Sequence, residues 1–201
     1  NTVRGILTPF TPPITGNLSK LQLFIDIFYG NELAFLHTNA KNQNSQRHLN
    51  YITINHLKDK KANAISTYLK RTLRCLRSRN FQVTVIYGDN EFNVDYIRDT
   101  FSPSSLHICS KNEHIPITER SICRVKERAQ CTSHSMPYKC YPKLMTIALM
   151  EQIESCLNTY LSTNSLLDTV SLAAIVEGKP NVNCNAAIRP FASSPSVYIG
   201  T

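Results

Sequence analysis

The stretch VTVIYGDNEF, residues 83–92, is an apolar, β-branched run that ends abruptly in acidic residues. Its first five residues are typical of a strand inside a sheet that is covered on both faces. The Gly88-Asp89-Asn90 sequence favours a turn, so Asp89 stands where the strand stops. A polar turn after a strand is the ordinary explanation for this pattern. Asp89 therefore indicates a functional site only if other acidic residues lie near it in the fold.

The segments before this strand predict a β-hairpin, a third strand and a basic helix. In LQLFIDIFYGNELAFLHT, residues 21–38, two apolar runs flank a turn-like sequence, which is typical of a hairpin. NYITI, residues 50–54, predicts the third strand, and apolar residues from Ile65 to Leu76 follow the spacing of one helix face. Asp26 lies inside the first apolar run, where an unpaired charge is costly. It therefore requires a basic side chain, a backbone donor or a metal as a partner.

The segments after the strand predict a short helix in 91–101, a short strand in 106–109 and two longer helices. Thr118 is the predicted N-cap of the first long helix, which places Glu119 in its first turn. The whole order predicts an α/β fold, with a mixed five-stranded sheet and helices packed against it. We expect an irregular lead-in over residues 1–19, a core over 20–162 and a poorly structured C-terminal extension over 163–201.

Charge and cysteine content restrict the class of protein. The net charge is +8, and eight Lys or Arg residues against the single Asp59 fall between Lys58 and Arg79. Such a block is either a solvated helix face or a surface for a polyanionic partner. Seven cysteines without a CxxC pair predict a reduced, intracellular environment, nuclear or cytoplasmic. Cys131 and His134 have the spacing of half a zinc site, but no second half follows.

No apolar run reaches the length of a membrane span, so we expect no membrane partner. The chain does not begin with Met, and we expect it to be a piece of a longer polyprotein.

The sequence resembles the integrase catalytic domains of copia-like retrotransposons, members of the DDE superfamily with a ribonuclease-H-like fold. The most specific segment is NEHIPITERSICRVKERAQ, residues 112–130, and LFIDIFYGNELAF and VIYGDNEF support it. MPYKCYPKLMTIALM and AAIVEGKP extend the resemblance, which covers roughly residues 20 to 180. The three acidic positions are then separated by 62 residues (89 − 26 − 1) and 29 residues (119 − 89 − 1).

The resemblance implies that Asp26, Asp89 and Glu119 form a catalytic triad that holds two Mg²⁺ or Mn²⁺ ions. The implied activity is metal-dependent processing of DNA 3′ ends and strand transfer into target DNA. DNA is then the substrate and partner, and a homo-oligomer is expected, with the helix over 143–161 as the candidate contact. Four basic residues of the helix that starts at Glu119 are expected to hold DNA phosphates, namely Arg120, Arg124, Lys126 and Arg128.

Two other classes of function stay open at this point. The chain contains no tryptophan, although related elements have one in the long helix, and this is compatible with a decayed copy that only binds nucleic acid or proteins. Another ribonuclease-H-like nuclease is the second alternative. For Glu91, two residues beyond Asp89, we expect a supporting or surface role.

Overall fold

The computed structural model describes residues 19–42, 48–109, 116–137, 140–160 and 170–179. The strands are β1 (Lys20–Gly30), β2 (Leu33–Asn42), β3 (Asn50–Leu57), β4 (Gln82–Gly88) and β5 (Ser105–Ile108). The α-helices are α1 (Ala62–Arg77), α2 (Asp95–Phe101), α3 (Pro116–Ser135), α4 (Lys143–Thr159) and α5 (Leu172–Glu177). A single 3₁₀ turn, Asn90–Phe92, follows β4.

The five strands form one mixed sheet in the order β3-β2-β1-β4-β5. β1, β2 and β3 are joined as an antiparallel meander, and β4 and β5 run parallel to β1. A parallel strand requires a crossover, and α1 supplies it between β3 and β4. This order and these directions confirm the predicted α/β, ribonuclease-H-like arrangement.

Each face of the sheet has its own hydrophobic core. Leu21, Leu23 and Ile25 of β1 pack with α1, α2 and α5 on one face, which we call the α1 face. Phe28 of β1 packs with α3 and α4 on the other, the α3 face. Side chains alternate along a strand, so Asp26 belongs to the α3 face together with Phe28.

The structure corrects two boundaries that the sequence predicted. The first long helix begins at Pro116 and not after Thr118, whose side chain is buried. Proline suits a helix start because the first N–H groups lack intrahelical acceptors. The second correction concerns the extension over 163–201, which we expected to be poorly structured: its described part contains α5. That helix is buried in the core of the α1 face, because its residues 172–176 are all apolar.

The outer edge of β3 is covered by polar side chains of α4. The Asn158 side chain accepts a hydrogen bond from the Ile52 N–H at 3.1 Å and donates to the Ile52 carbonyl at 2.8 Å. The Glu154 carboxylate accepts the Ile54 N–H at 2.7 Å. These bonds satisfy main-chain groups that an edge strand otherwise leaves open.

Two sequence predictions about chemistry can be compared with the described residues. Six cysteines lie there, and all six are free thiols: Cys75, Cys109, Cys123, Cys131, Cys140 and Cys156. No helix among the described residues is both long and apolar enough to cross a bilayer.

Candidate active site at the end of the central strands

Strand register relates the positions of Asp26 and Asp89 in the sheet. β1 and β4 run parallel, and their last registered pair is Phe24 with Tyr87, whose rings stack with centroids 5.0 Å apart. Asp26 lies two residues beyond Phe24 on β1, and Asp89 lies two residues beyond Tyr87, one residue past the end of β4. Side chains two residues apart point the same way along a strand, so Asp26 lies on the same face of β1 as Phe24. The register therefore places the two aspartates at corresponding positions of neighbouring strands.

Gly88 allows this approach. A Cβ at this position would lie 2.7 Å from Cγ1 of Ile25 and 3.0 Å from the ring of Phe92. A side chain at position 88 would push the end of β4 away from β1. The glycine therefore has a role in placing Asp89, which is exposed where β4 meets the 3₁₀ turn.

Asp26 is partly buried and is held by its own backbone. The Ile27 N–H donates to Oδ1 of Asp26 at 2.7 Å. Burial is the largest cause that raises the pKa of Asp26 to about 6, and the Ile27 hydrogen bond opposes it. The charges of Asp89, Glu91 and Glu119 raise this pKa further. The charges of the two other predicted catalytic carboxylates, and that of Glu91, therefore all act on Asp26.

Glu119 is exposed in the first turn of α3, as the sequence predicts. That turn is joined to the sheet beside Asp26. Ser121 Oγ shares a 2.9 Å hydrogen bond with Nε2 of His37, and His37 is the residue of β2 that pairs with Asp26. The bond ties the first turns of α3 to the strand position opposite Asp26.

His37 is fully buried, and burial lowers its pKa to about 4. The imidazole is therefore neutral near pH 7 and serves as a hydrogen-bonding group and not as a charge. Its ring lies 6.4 Å from that of Phe28 in a T-shaped contact. Within the described part of the chain, Nδ1 of His37 and Oγ1 of Thr118 have no hydrogen-bond partner.

The chemistry of these donors suits Mg²⁺ or Mn²⁺, since hard divalent cations take carboxylate oxygens as ligands. A cation would also relieve the repulsion that raises the pKa of Asp26. In the described residues, however, no three His, Cys, Asp or Glu side chains are gathered closely enough to form a metal site. The acidic side chains share a region without converging on one point. Cys131 and His134, the half-site seen in the sequence, likewise gain no further ligand there.

The four predicted phosphate-binding residues, Arg120, Arg124, Lys126 and Arg128, are all exposed on α3. Only Lys126 has a described contact that links it to the acidic region. Its Nζ lies 6.0 Å from the ring centroid of Phe28, two residues beyond Asp26 on the same face of β1. A cation over an aromatic face is weakly favourable and leaves the ammonium group available to solvent.

Two residues of this region were not assigned to the site from the sequence. Glu91 lies in the 3₁₀ turn, where we expected a supporting or surface role, and its charge reaches both Asp26 and Lys60. Lys60 lies 4.7 Å from the ring centroid of the exposed Tyr29, and a hydrogen bond with Tyr29 is the main cause that raises the pKa of Lys60. No pattern in a single sequence predicts that the 58–61 segment contacts the end of β1. Glu113 and His114 lie outside the described residues.

Comparisons with known proteins give a fold likeness at low sequence identity. No protein-family model and no curated protein matches the sequence. Among solved structures, the catalytic core domain of BIV integrase matches with 13% identity and a TM-score of 0.49, covering 71% of this chain and 86% of that one. A chain of the simian T-cell lymphotropic virus intasome, in complex with the PP2A regulatory subunit B56 gamma, also matches with 13% identity and a TM-score of 0.49. That match covers 74% of this chain and 51% of the other.

Proposed function

We propose that this chain is the catalytic core of an integrase-type polynucleotidyl transferase, with Asp26, Asp89 and Glu119 as its catalytic carboxylates. One observation carries the proposal. Acidic residues from β1, from the end of β4 and from the first turn of α3 interact electrostatically at one end of a ribonuclease-H-like sheet. A carboxyl group whose pKa is raised by burial and by other acidic residues is a recognised mark of a functional site.

In this proposal the three carboxylates would hold two divalent cations, which would supply Lewis-acid stabilisation of negative charge during phosphoryl transfer. One oxygen of Asp26 accepts a hydrogen bond from the Ile27 N–H, which restrains the carboxylate. Asp89 follows a strand held in position by the close packing of Gly88. Glu119 is held through the bond between Ser121 and His37.

The exposed basic residues of α3 position the substrate. Arg120, Arg124, Lys126 and Arg128 would contact phosphates, so binding depends steeply on salt and little on base sequence. Lys126 is the member that lies over the face of β1 that carries Asp26.

The finer assignment is to a copia-like retrotransposon, in which this core acts in DNA integration as part of a polyprotein. It is supported by the acidic and basic string NEHIPITERSICRVKERAQ. A homo-oligomer that forms around element and target DNA, in the nucleus or cytoplasm, belongs to the same proposal.

A branched duplex that imitates the product of strand transfer provides the sharpest test. A site that joins strands also catalyses the reverse reaction, and the reverse reaction does not require the unknown end sequence of the element. With Mn²⁺ we expect resolution of the branch into a joined strand, and D89N should abolish it. Shortened fragments without joining would instead identify a nuclease.

A nucleic-acid-binding module without catalysis is the second candidate. The observation in its favour is that no three of the described acidic side chains converge into a metal site, although basic residues are exposed. In that case DNA binding would survive D89N unchanged, and Mn²⁺ would alter neither activity nor stability.

A further inference from the structure

Apart from Lys60, which lies near Glu91, the basic block between Lys58 and Arg79 is not used by the proposed active site. α1 contains no acidic residue, and Lys70, Arg74 and Arg77 repeat at intervals of four and three along it. Residues at this spacing lie on one stripe of a helix. All three are exposed. We call these three residues the α1 stripe.

The α1 stripe lines an open groove between α1 and α2. The groove has a volume of about 480 Å³, and its other lining residues are Leu73, Ser78 and Thr100. Nζ of Lys70 lies 5.2 Å from the ring centroid of Tyr96, a tyrosine of α2 that is 48% exposed. Arg77 donates to the Ser102 carbonyl at 3.2 Å, which fixes the end of the stripe beside the C-terminus of α2.

These positive charges are not neutralised within the described part of the chain. None of the ion pairs there involves Lys70, Arg74 or Arg77, although α2 carries Asp95 and Asp99. The Arg74 side chain, at the centre of the stripe, has neither a hydrogen bond nor an ion pair among the described residues. Three adjacent cations without counter-ions attract a polyanion.

We propose that this groove binds the phosphate backbone of double-stranded nucleic acid, as a second contact surface separate from α3. The stripe spans eight residues, and its first and last members are about 10 Å apart along the helix axis. One DNA strand presents a phosphate about every 3.4 Å of axis, so the stripe matches about three phosphates. Two arginines favour this partner, because a guanidinium group forms paired hydrogen bonds with phosphate oxygens.

The position in the fold separates this surface from the active site. α1 and α2 pack on the α1 face of the sheet, whereas Asp26 and α3 belong to the α3 face. A duplex segment in the groove is therefore a different segment from the one that reaches the carboxylates. The surface also acts independently of the proposed catalysis, because phosphate binding by Lys and Arg requires no divalent cation.

Salt-dependent binding of a labelled duplex of about 25 base pairs, followed by fluorescence anisotropy in EDTA, tests the proposal. The variant K70Q/R74Q/R77Q should bind at least about tenfold more weakly, and the slope of log K against log salt should fall by about 2 to 3. The matched control K20Q/K41Q/K143Q removes the same charge from other surfaces, and its slope should stay within about 1 of the wild-type slope. Equal slopes for the two triple variants would overturn the proposal.

Two further variants separate charge from folding. K70R/R74K/R77K keeps the charge and should retain affinity within about threefold. R74E alone replaces a side chain that makes no described contact, so the fold should persist while affinity falls several-fold. Unchanged affinity in R74E would also contradict the proposal. So would competition by polyglutamate at a lower charge concentration than duplex DNA, because that result would identify an acidic protein as the partner.

Discussion

Asp26 in β1 and Glu154 in α4 share their local chemistry and differ in their neighbours. Each accepts a backbone N–H at 2.7 Å, and burial is the main cause that raises each pKa, to about 6 and about 7 respectively. The charges with the largest effect on the pKa of Asp26 all belong to carboxylates. Glu154 lies near both Glu177 and Lys179, which are ion-paired with each other. A raised pKa alone thus does not identify a catalytic acid.

The difference between the two sites lies in what each carboxylate does for the backbone. Glu154 satisfies the edge of β3, which is a structural task. Among the described residues Asp26 hydrogen-bonds only its neighbour in sequence, and the charges of three other acidic residues act on it. The following predictions test whether this comparison separates catalysis from structure.

The largest effect is expected for strand joining. D26N should reduce Mn²⁺-dependent resolution of the branched duplex by at least about 100-fold, because it removes a group that stabilises charge in the transition state. E154Q changes a carboxyl group of similarly raised pKa, and its rate of branch resolution should stay within about threefold of the wild-type rate. Product formation on denaturing gels gives both rates. Equal losses in the two variants would remove the distinction between the two sites.

Metal binding should stabilise only the Asp26 region. At a Mn²⁺ concentration of 100 times Kd, the free energy of unfolding should rise by about 2.7 kcal/mol in the wild type. D89N should lose most of this gain, and E154Q should keep it. Thermal unfolding with and without Mn²⁺ measures the effect without any DNA. Identical gains in all three proteins would place the metal elsewhere.

The burial of Glu154 should make the free energy of unfolding depend on pH. Its folded-state pKa of about 7 lies above the usual 4.5, so the ionised side chain costs stability above pH 7, and this cost disappears as the pH falls toward 4.5. E154Q should therefore raise the free energy of unfolding by roughly 1–3 kcal/mol at pH 8 and by little at pH 4.5. Urea unfolding at both pH values measures this. E151Q, an exposed change in the same helix, should show no such dependence.

The smallest effect is expected at the contact between α3 and β2. S121A should cost about 1 kcal/mol of stability, since it removes a buried hydrogen bond to His37. If that bond positions Glu119, strand joining should fall by more than the loss of folded protein explains. S135A, at the exposed end of the same helix, is the control. Loss of stability without any change in joining would limit His37 to a structural role.

The sequence was informative where periodicity was strong. The hairpin and β4 follow from apolar alternation and runs, and α1 follows from its helical spacing. α5 was missed because its buried residues, 172–176, are apolar on every side, so they give no amphipathic signal and the surrounding Ser, Asn and Pro suggest a loop. The roles of Lys60 and His37 depend on which strands become neighbours. That information appears only when the sheet is assembled.

The covered edge of β3 has a consequence for how copies of this chain can associate. An open edge strand recruits strands from other molecules, and this is a common route to aggregation. Here the Asn158 side chain hydrogen-bonds both main-chain groups of Ile52, as a neighbouring strand would. A further strand therefore cannot pair with β3 at this position. Replacing Asn158 by leucine would expose the edge of β3, and we expect fibre formation to be the first effect, with Asp26, Asp89 and Glu119 unchanged.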